Sequence, residues 1–140
     1  SLQVSGQPTG AELTLYAESG VRLVVDLRGS SEDRGVDEKA VVEELGMAYI
    51  SLPITSRDDL NLEHATALDQ ILSSAQGAVL IHCRSGNRVG ALMALRAGLD
   101  PELSTDSALE IGRMHGLTSL EEHTRSVLQQ RKPATTGYGS

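Results

Sequence analysis

The sequence contains no Phe and no Trp, and its tyrosines are limited to Tyr16, Tyr49 and Tyr138. A core must therefore be assembled from Leu, Val, Ile, Ala and Met, and any substrate pocket is short of rings for stacking. A single cysteine, Cys83, excludes an internal disulfide and a cysteine-cluster metal site. His64, His82, His115 and His123 are not spaced as ligand pairs, so neither a metal nor another cofactor is expected. Lys and Arg number 12 against 19 Asp and Glu, giving a net charge of −7 without any basic cluster. Nucleic acid and anionic membrane surfaces are poor partners for such a chain. No apolar run approaches the length of a membrane-crossing helix. No leader-like stretch opens the chain, and the expected compartment is cytoplasm or periplasm.

What is present is the composition of one globular domain: 140 residues, 39% hydrophobic and 22% charged. Strand-like and helix-like segments alternate without repeats. Residues 2–7 read as a short edge strand, and Thr9 and Glu12 have capping-box spacing at the start of a helix running to Gly20. The β-branched segment 21–27 reads as a buried strand, followed by a polar loop over 29–35 and an amphipathic helix over 36–45. Residues 48–54 form the next strand, 55–61 a polar loop and 62–74 a helix. The wholly apolar segment 78–81 then leads into His82 and Cys83, and a helix covers 88–97. Asp100 and Pro101 suggest another short helix, and Thr118 to Glu121 has the spacing of a second capping box, opening a last helix to about Arg131. This order predicts an α/β fold: a single three-layer domain over residues 1–132, with a mostly parallel central sheet of about four strands flanked by helices. Residues 133–140 read as a flexible tail.

Ligands of such sheets sit beyond the carboxyl ends of the strands, and the most apolar strand ends at Cys83. A lone cysteine there is more often an inert buried residue. Its company here is unusual: His82 before it, Arg84, Ser85, Gly86 and Asn87 after it, and Arg88 at a helix start. Successive N–H groups in a strand-to-helix loop make a nest for an anion, and the helix dipole adds to it. The same field favours a thiolate nucleophile. Arg88 offers a planar fork for two oxygens of one anion. The expected partner is a small anionic or phosphorylated substrate, with Arg84, Ser85, Gly86 and Asn87 as the substrate-binding residues. For Asn87, bonding to its neighbours and presenting its amide to substrate are both open.

The run His82-Cys83-Arg84-Ser85-Gly86-Asn87-Arg88 resembles the signature loop of cysteine-dependent phosphatases of the tyrosine/dual-specificity superfamily. Val4-Ser5-Gly6-Gln7-Pro8-Thr9, Val24-Val25-Asp26-Leu27-Arg28 and Tyr49-Ile50-Ser51-Leu52-Pro53-Ile54 extend the likeness to the bacterial phosphatase-like domain of beta-lactamase hydrolase-like proteins. The resemblance implies a Cys83 thiolate attacking phosphorus, Arg88 gripping the oxygens, and an upstream Asp protonating the leaving group. Two features depart from it. Four residues separate Cys83 from Arg88, one fewer than in the phosphatase signature, and Val89 stands where that signature usually has Ser or Thr. The shorter loop, with the Asp26-x-Arg28 pair, resembles that of rhodanese sulfurtransferases, whose cysteine carries a persulfide. A phosphatase through a phosphocysteine is the first expectation and a thiosulfate sulfurtransferase the second. An inactive anion-binding module is the third.

A phosphatase needs a general acid. Asp58 and Asp59, in the loop after the 48–54 strand, are the candidates, with solvated loop carboxylates as the plain alternative. His82 is expected to order the loop by hydrogen bonding, and Asp26 to brace it. Tyr16 lies far from the loop in sequence, which leaves recognition to Arg84 and Arg88.

Overall fold

The computed structural model describes residues 2–29 and 37–131. Four strands, β1 (Leu2–Ser5), β2 (Val21–Asp26), β3 (Ala48–Ser51) and β4 (Ala78–His82), form one sheet in the order β1-β4-β2-β3. Every pairing is parallel, so the sheet is wholly rather than mostly so. β2 and β4 lie inside the sheet, and Val24, Val25, Leu80 and Ile81 are fully buried there. This is why these two segments are continuously apolar. On one face, α1 (Gly10–Glu18) and α2 (Glu38–Glu44) pack Leu13 and Val42 against Val21, Val24 and Leu80. On the other, α3 (Leu62–Ser74), α4 (Asn87–Ala97), α5 (Thr105–Met114) and α6 (Glu121–Gln130) cover Leu23, Val25, Val79 and Ile81. Val21 shares a face with Val24 because the β2–β4 register shifts between Val21 and Leu23.

The Thr9–Glu12 capping box forms, with both reciprocal bonds in place. Several expected boundaries move. β1 stops at Ser5, because Gly6 and Gln7 turn onto the rim of the loop after β4, Gln7 N–H donating to the Arg84 carbonyl at 3.0 Å. β3 stops at Ser51, although Leu52 and Ile54 still donate to the Asp26 and Leu27 carbonyls, and Pro53 between them has no N–H to give. Asp100 and Pro101 form a turn, in which Asp100 accepts from the Glu102 N–H. Ser104 is the true N-cap of α5. The second capping box does not form: α6 begins at Glu121 without a side-chain cap of its own. Asp37 caps α2, while the expected polar loop and Val36 fall almost wholly, and the tail from 133 onward wholly, outside the described residues.

Without large aromatic side chains, α4 closes the core by backbone approach, and residues 89–95 of it are buried all round. A Cβ on Gly90 would sit 2.1 Å from the Leu117 nitrogen, and one on Gly112 would sit 2.8 Å from the Gly90 carbonyl oxygen. Backbone cannot yield as a flexible side chain does. Gly90→Ala should therefore destabilise the protein by about 1–3 kcal/mol, read as a lowered denaturant midpoint. Unchanged unfolding would show that α4 and the α5–α6 junction are not in van der Waals contact.

Candidate active site

β4 delivers Cys83 to the carboxyl edge of the sheet, and the chain turns at once into α4. Gly86 makes that turn, with φ 92° and ψ −16° in the left-handed region where side chains are strained. Its N–H points back at Cys83 Sγ at 3.0 Å, and its carbonyl accepts the Gly90 N–H at 2.9 Å in the first turn of α4. Cys83 is fully buried, whereas Arg84 and Ser85 are exposed on the rim. The sulfur thus lies under the loop, at the positive end of an eleven-residue helix.

Three neighbours hold the loop. Gly6 lies so close to it that a Cβ there would be 2.7 Å from the Arg84 carbonyl oxygen, and one on Gly116 would be 2.7 Å from that of Gly86. Asn87 supplies the third hold. Its Oδ1 accepts from the Thr118 N–H at 2.8 Å and the Leu120 N–H at 3.5 Å, and its Nδ2 donates to Ser119 Oγ at 2.7 Å. Asn87 therefore ties α4 to the start of α6 instead of presenting its amide to a ligand.

Behind the loop is a buried ionic cluster. Arg28 Nε donates to Asp26 Oδ1 at 3.0 Å, and Arg28 Nη2 reaches Asp26 Oδ2 at 3.2 Å and Glu38 Oε1 at 2.6 Å. Asp26 also accepts the Tyr49 hydroxyl at 2.7 Å and the Arg28 N–H at 2.9 Å. His82 Nε2 bonds Glu38 Oε2, and its Nδ1 lies 3.4 Å from the Cys83 carbonyl oxygen. His82 thus reaches the loop backbone at Cys83, and Asp26 lies behind it, bonded to Arg28 and Tyr49. Glu38 and Tyr49 were not anticipated. The usable signal for Glu38 was its place four residues before the inward Val42, on the apolar side of α2. Asp26, Glu38 and His82 bring three metal-ligand atoms within 4.8 Å of one another. The Arg28 guanidinium, bonded to both carboxylates, already occupies the cationic place between them.

The remaining candidates flank the loop. Arg88 Nη1 donates to the Ile54 carbonyl at 2.9 Å, and Arg88 lines a cavity of about 220 Å³ with Thr55, Arg57 and Leu120. Asp58 and Asp59 form a 3₁₀ turn with Arg57 beside that cavity. Asp59 Oδ2 accepts from both the N–H and the hydroxyl of Thr55, each at 2.9 Å. Those two bonds hold its carboxyl below the usual carboxylate range, so Asp59 is a poor proton donor. Asp58 is exposed. On the other flank a cleft of about 350 Å³ runs between Ser5–Pro8, Glu12 and Tyr16 on one side and Arg84 and Ser85 on the other. The expectation of a ringless surround is corrected here: α1 carries Tyr16 up to the rim. Cys83 lines neither cavity.

The all-parallel sheet and the strand–cysteine–helix corner define a phosphatase-like α/β domain. The family model for the beta-lactamase hydrolase-like protein, phosphatase-like domain, matches residues 1–99. The chain belongs to that family. Beta-lactamase hydrolase-like proteins of Xylella fastidiosa and Agrobacterium fabrum are 32% and 27% identical, over 121 and 119 residues. Each match covers 82% of this chain and 27% of the relative, so the chain spans about a quarter of their length. Among solved structures, NMA1982 of Neisseria meningitidis superposes with a TM-score of 0.75 at 22% identity, covering 90% of this chain and 92% of that one. TpbA of Pseudomonas aeruginosa, in a cysteine-to-serine form complexed with phosphotyrosine, superposes at 0.70 and 20% identity, covering 93% and 80%. These likenesses show a shared fold. No helix among the described residues is long and apolar enough to cross a membrane.

In Asp26, burial opposes the charge, but bonds from Arg28 and Tyr49 and the adjacent His82 outweigh it and leave the carboxyl well below its usual range. A depressed carboxylate stabilises the fold above its unfolded value, near pH 4, and that contribution erodes as pH falls further. Asp26→Asn should cost about 3–5 kcal/mol at pH 7, because it leaves Arg28 and Glu38 imperfectly paired. It should also flatten the loss of stability below about pH 4. Denaturant titrations from pH 7 to pH 3 check both, and equal slopes in the two proteins would refute the assignment.

Proposed function

We propose that this chain is a cysteine-dependent phosphatase of the tyrosine/dual-specificity type, acting on phosphate monoesters through a phosphocysteine. The observation that supports it best is Cys83 Sγ at the carboxyl end of β4, under the Gly86 N–H, in a chain of a phosphatase-like family. An N–H donor and a helix N-terminus are the surroundings that favour a sulfur anion. In the first step Sγ attacks phosphorus, an S–P bond forms and the P–O bond to the leaving group breaks. The departing oxygen takes a proton from Asp58, since Asp59 is bound to Thr55. In the second step Asp58 accepts a proton from water, which attacks phosphorus and breaks the S–P bond, releasing phosphate and the thiolate. For Arg88 to grip the phosphoryl oxygens, its fork turns from the Ile54 carbonyl toward Sγ. The leaving group would lie on the Asp58 side of the loop, by the cavity lined by Thr55, Arg57 and Arg88, and phosphotyrosine, bound by TpbA, is the substrate proposed.

The decisive comparison sets p-nitrophenyl phosphate hydrolysis against thiocyanate formation from thiosulfate and cyanide, on one preparation. Hydrolysis is expected, lost in Cys83→Ser and lowered about a hundred- to a thousandfold in Arg88→Lys, whose ammonium cannot replace the two-pronged grip. Sulfur transfer without hydrolysis would favour the rhodanese-like reading of the short loop. Asp58→Asn should slow aryl phosphates with poor leaving groups far more than good ones, and should remove the fall in rate on the alkaline side of the pH–rate profile. An unchanged leaving-group dependence would rule Asp58 out.

A further inference from the structure

The geometry points to Glu38 as a positioning residue for Cys83, acting through His82. The two peptides that flank Cys83 are both held. The Leu27 N–H bonds the His82 carbonyl at 3.0 Å, and His82 Nδ1 faces the Cys83 carbonyl at 3.4 Å. The orientation of that ring is set at its other nitrogen, where Nε2 bonds Glu38 Oε2. Glu38 is itself fixed by its second oxygen, 2.6 Å from Arg28 Nη2. A carboxylate on α2, distant in sequence and outside the sheet, thereby governs how the nucleophile is carried. Stability alone does not explain such a cluster, because buried ion pairs are often matched or bettered by apolar side chains of similar volume. What the four buried groups supply beyond an apolar packing is a direction for the imidazole. This inference rests on Cys83 being the reactive group of the proposed function, and not on the substrate.

The test is the rate at which iodoacetamide alkylates Cys83, followed by mass spectrometry in the wild type, Glu38→Gln, His82→Gln and the double variant. Glu38→Gln should slow alkylation and lower kcat on p-nitrophenyl phosphate by roughly tenfold. KM should change by less than about twofold, since no substrate contact is removed. The double variant should react no slower than His82→Gln alone, because Glu38 then has nothing to act through. Wild-type rates in a folded Glu38→Gln protein would overturn the inference, as would losses that multiply in the double variant. An inert wild-type thiol would overturn it too. Should Glu38→Gln not fold, Glu38→Met carries the same comparison, and failure of both to fold would assign Glu38 a purely structural role. Alkylation needs no phosphate ester. The expected pattern in a protein that hydrolyses none would remove the phosphatase reading and leave this inference standing.

Discussion

Two interior strands of a parallel sheet end side by side, with Asp26 opposite His82, in a region from which water is excluded. Leaving an ion there without a partner would cost several kcal/mol. Most of the site's architecture answers that constraint. Asp26 is matched by the Arg28 guanidinium and the Tyr49 hydroxyl, and Arg28 in turn holds Glu38. Glu38 meets the imidazole beside Cys83. One electrostatic requirement therefore recruits β2, β3, β4 and α2 to a single point behind Cys83. It also explains why this otherwise aliphatic core admits four polar side chains in one place.

The shortage of aromatic residues shapes the rest. With no bulky ring to fill space, the helices over the α4 face close the core by bringing backbones together, and Gly90, Gly112 and Gly116 mark the closest approaches. The loop after β4 inherits this manner of packing. It is flanked by Gly6 on one side and Gly116 on the other, both at distances that exclude a Cβ. A loop confined by backbone has fewer alternative arrangements than one propped by side chains. Its amides thus keep a fixed relation to the sulfur, which is what preorganised stabilisation of an anion demands.

The sequence was legible where one local signal sufficed. The β-branched segments became β2 and β4, Thr9 and Glu12 made their capping box, and Cys83 emerged at the strand–helix corner. It was illegible where a side chain acts across the fold. Thr118 to Glu121 has capping-box spacing, yet Asn87, 31 residues away, takes the Thr118 N–H first. The place of Glu38 on the apolar side of α2 hinted at burial, but its partners, Arg28 after β2 and His82 on β4, appear only when α2 packs against the sheet. Tyr16 is remote from the loop along the chain but not in space. The β1–α1 turn, by bonding Gln7 to Arg84, carries that ring to the loop.

The presence of Val89 after Arg88 has unequal consequences for the two halves of the proposed reaction. Attack on phosphorus requires a reactive sulfur, a donor near it and a proton for the leaving group. The Gly86 N–H and an exposed Asp58 on the neighbouring turn are suited to those tasks. Release of the phosphoenzyme requires a water to be oriented and the sulfur to be accepted as a leaving group. The hydroxyl that the phosphatase signature usually places after its arginine is absent, and Val89 in that position, in the first turn of α4, is buried in the core. It can neither donate to the departing sulfur nor orient a water. The chain's own residues therefore support formation of a covalent intermediate more fully than its breakdown. Where the first step is well served and the second is not, the intermediate accumulates and its hydrolysis limits turnover. Within the phosphatase mechanism, Val89 is thus a reason for slow turnover.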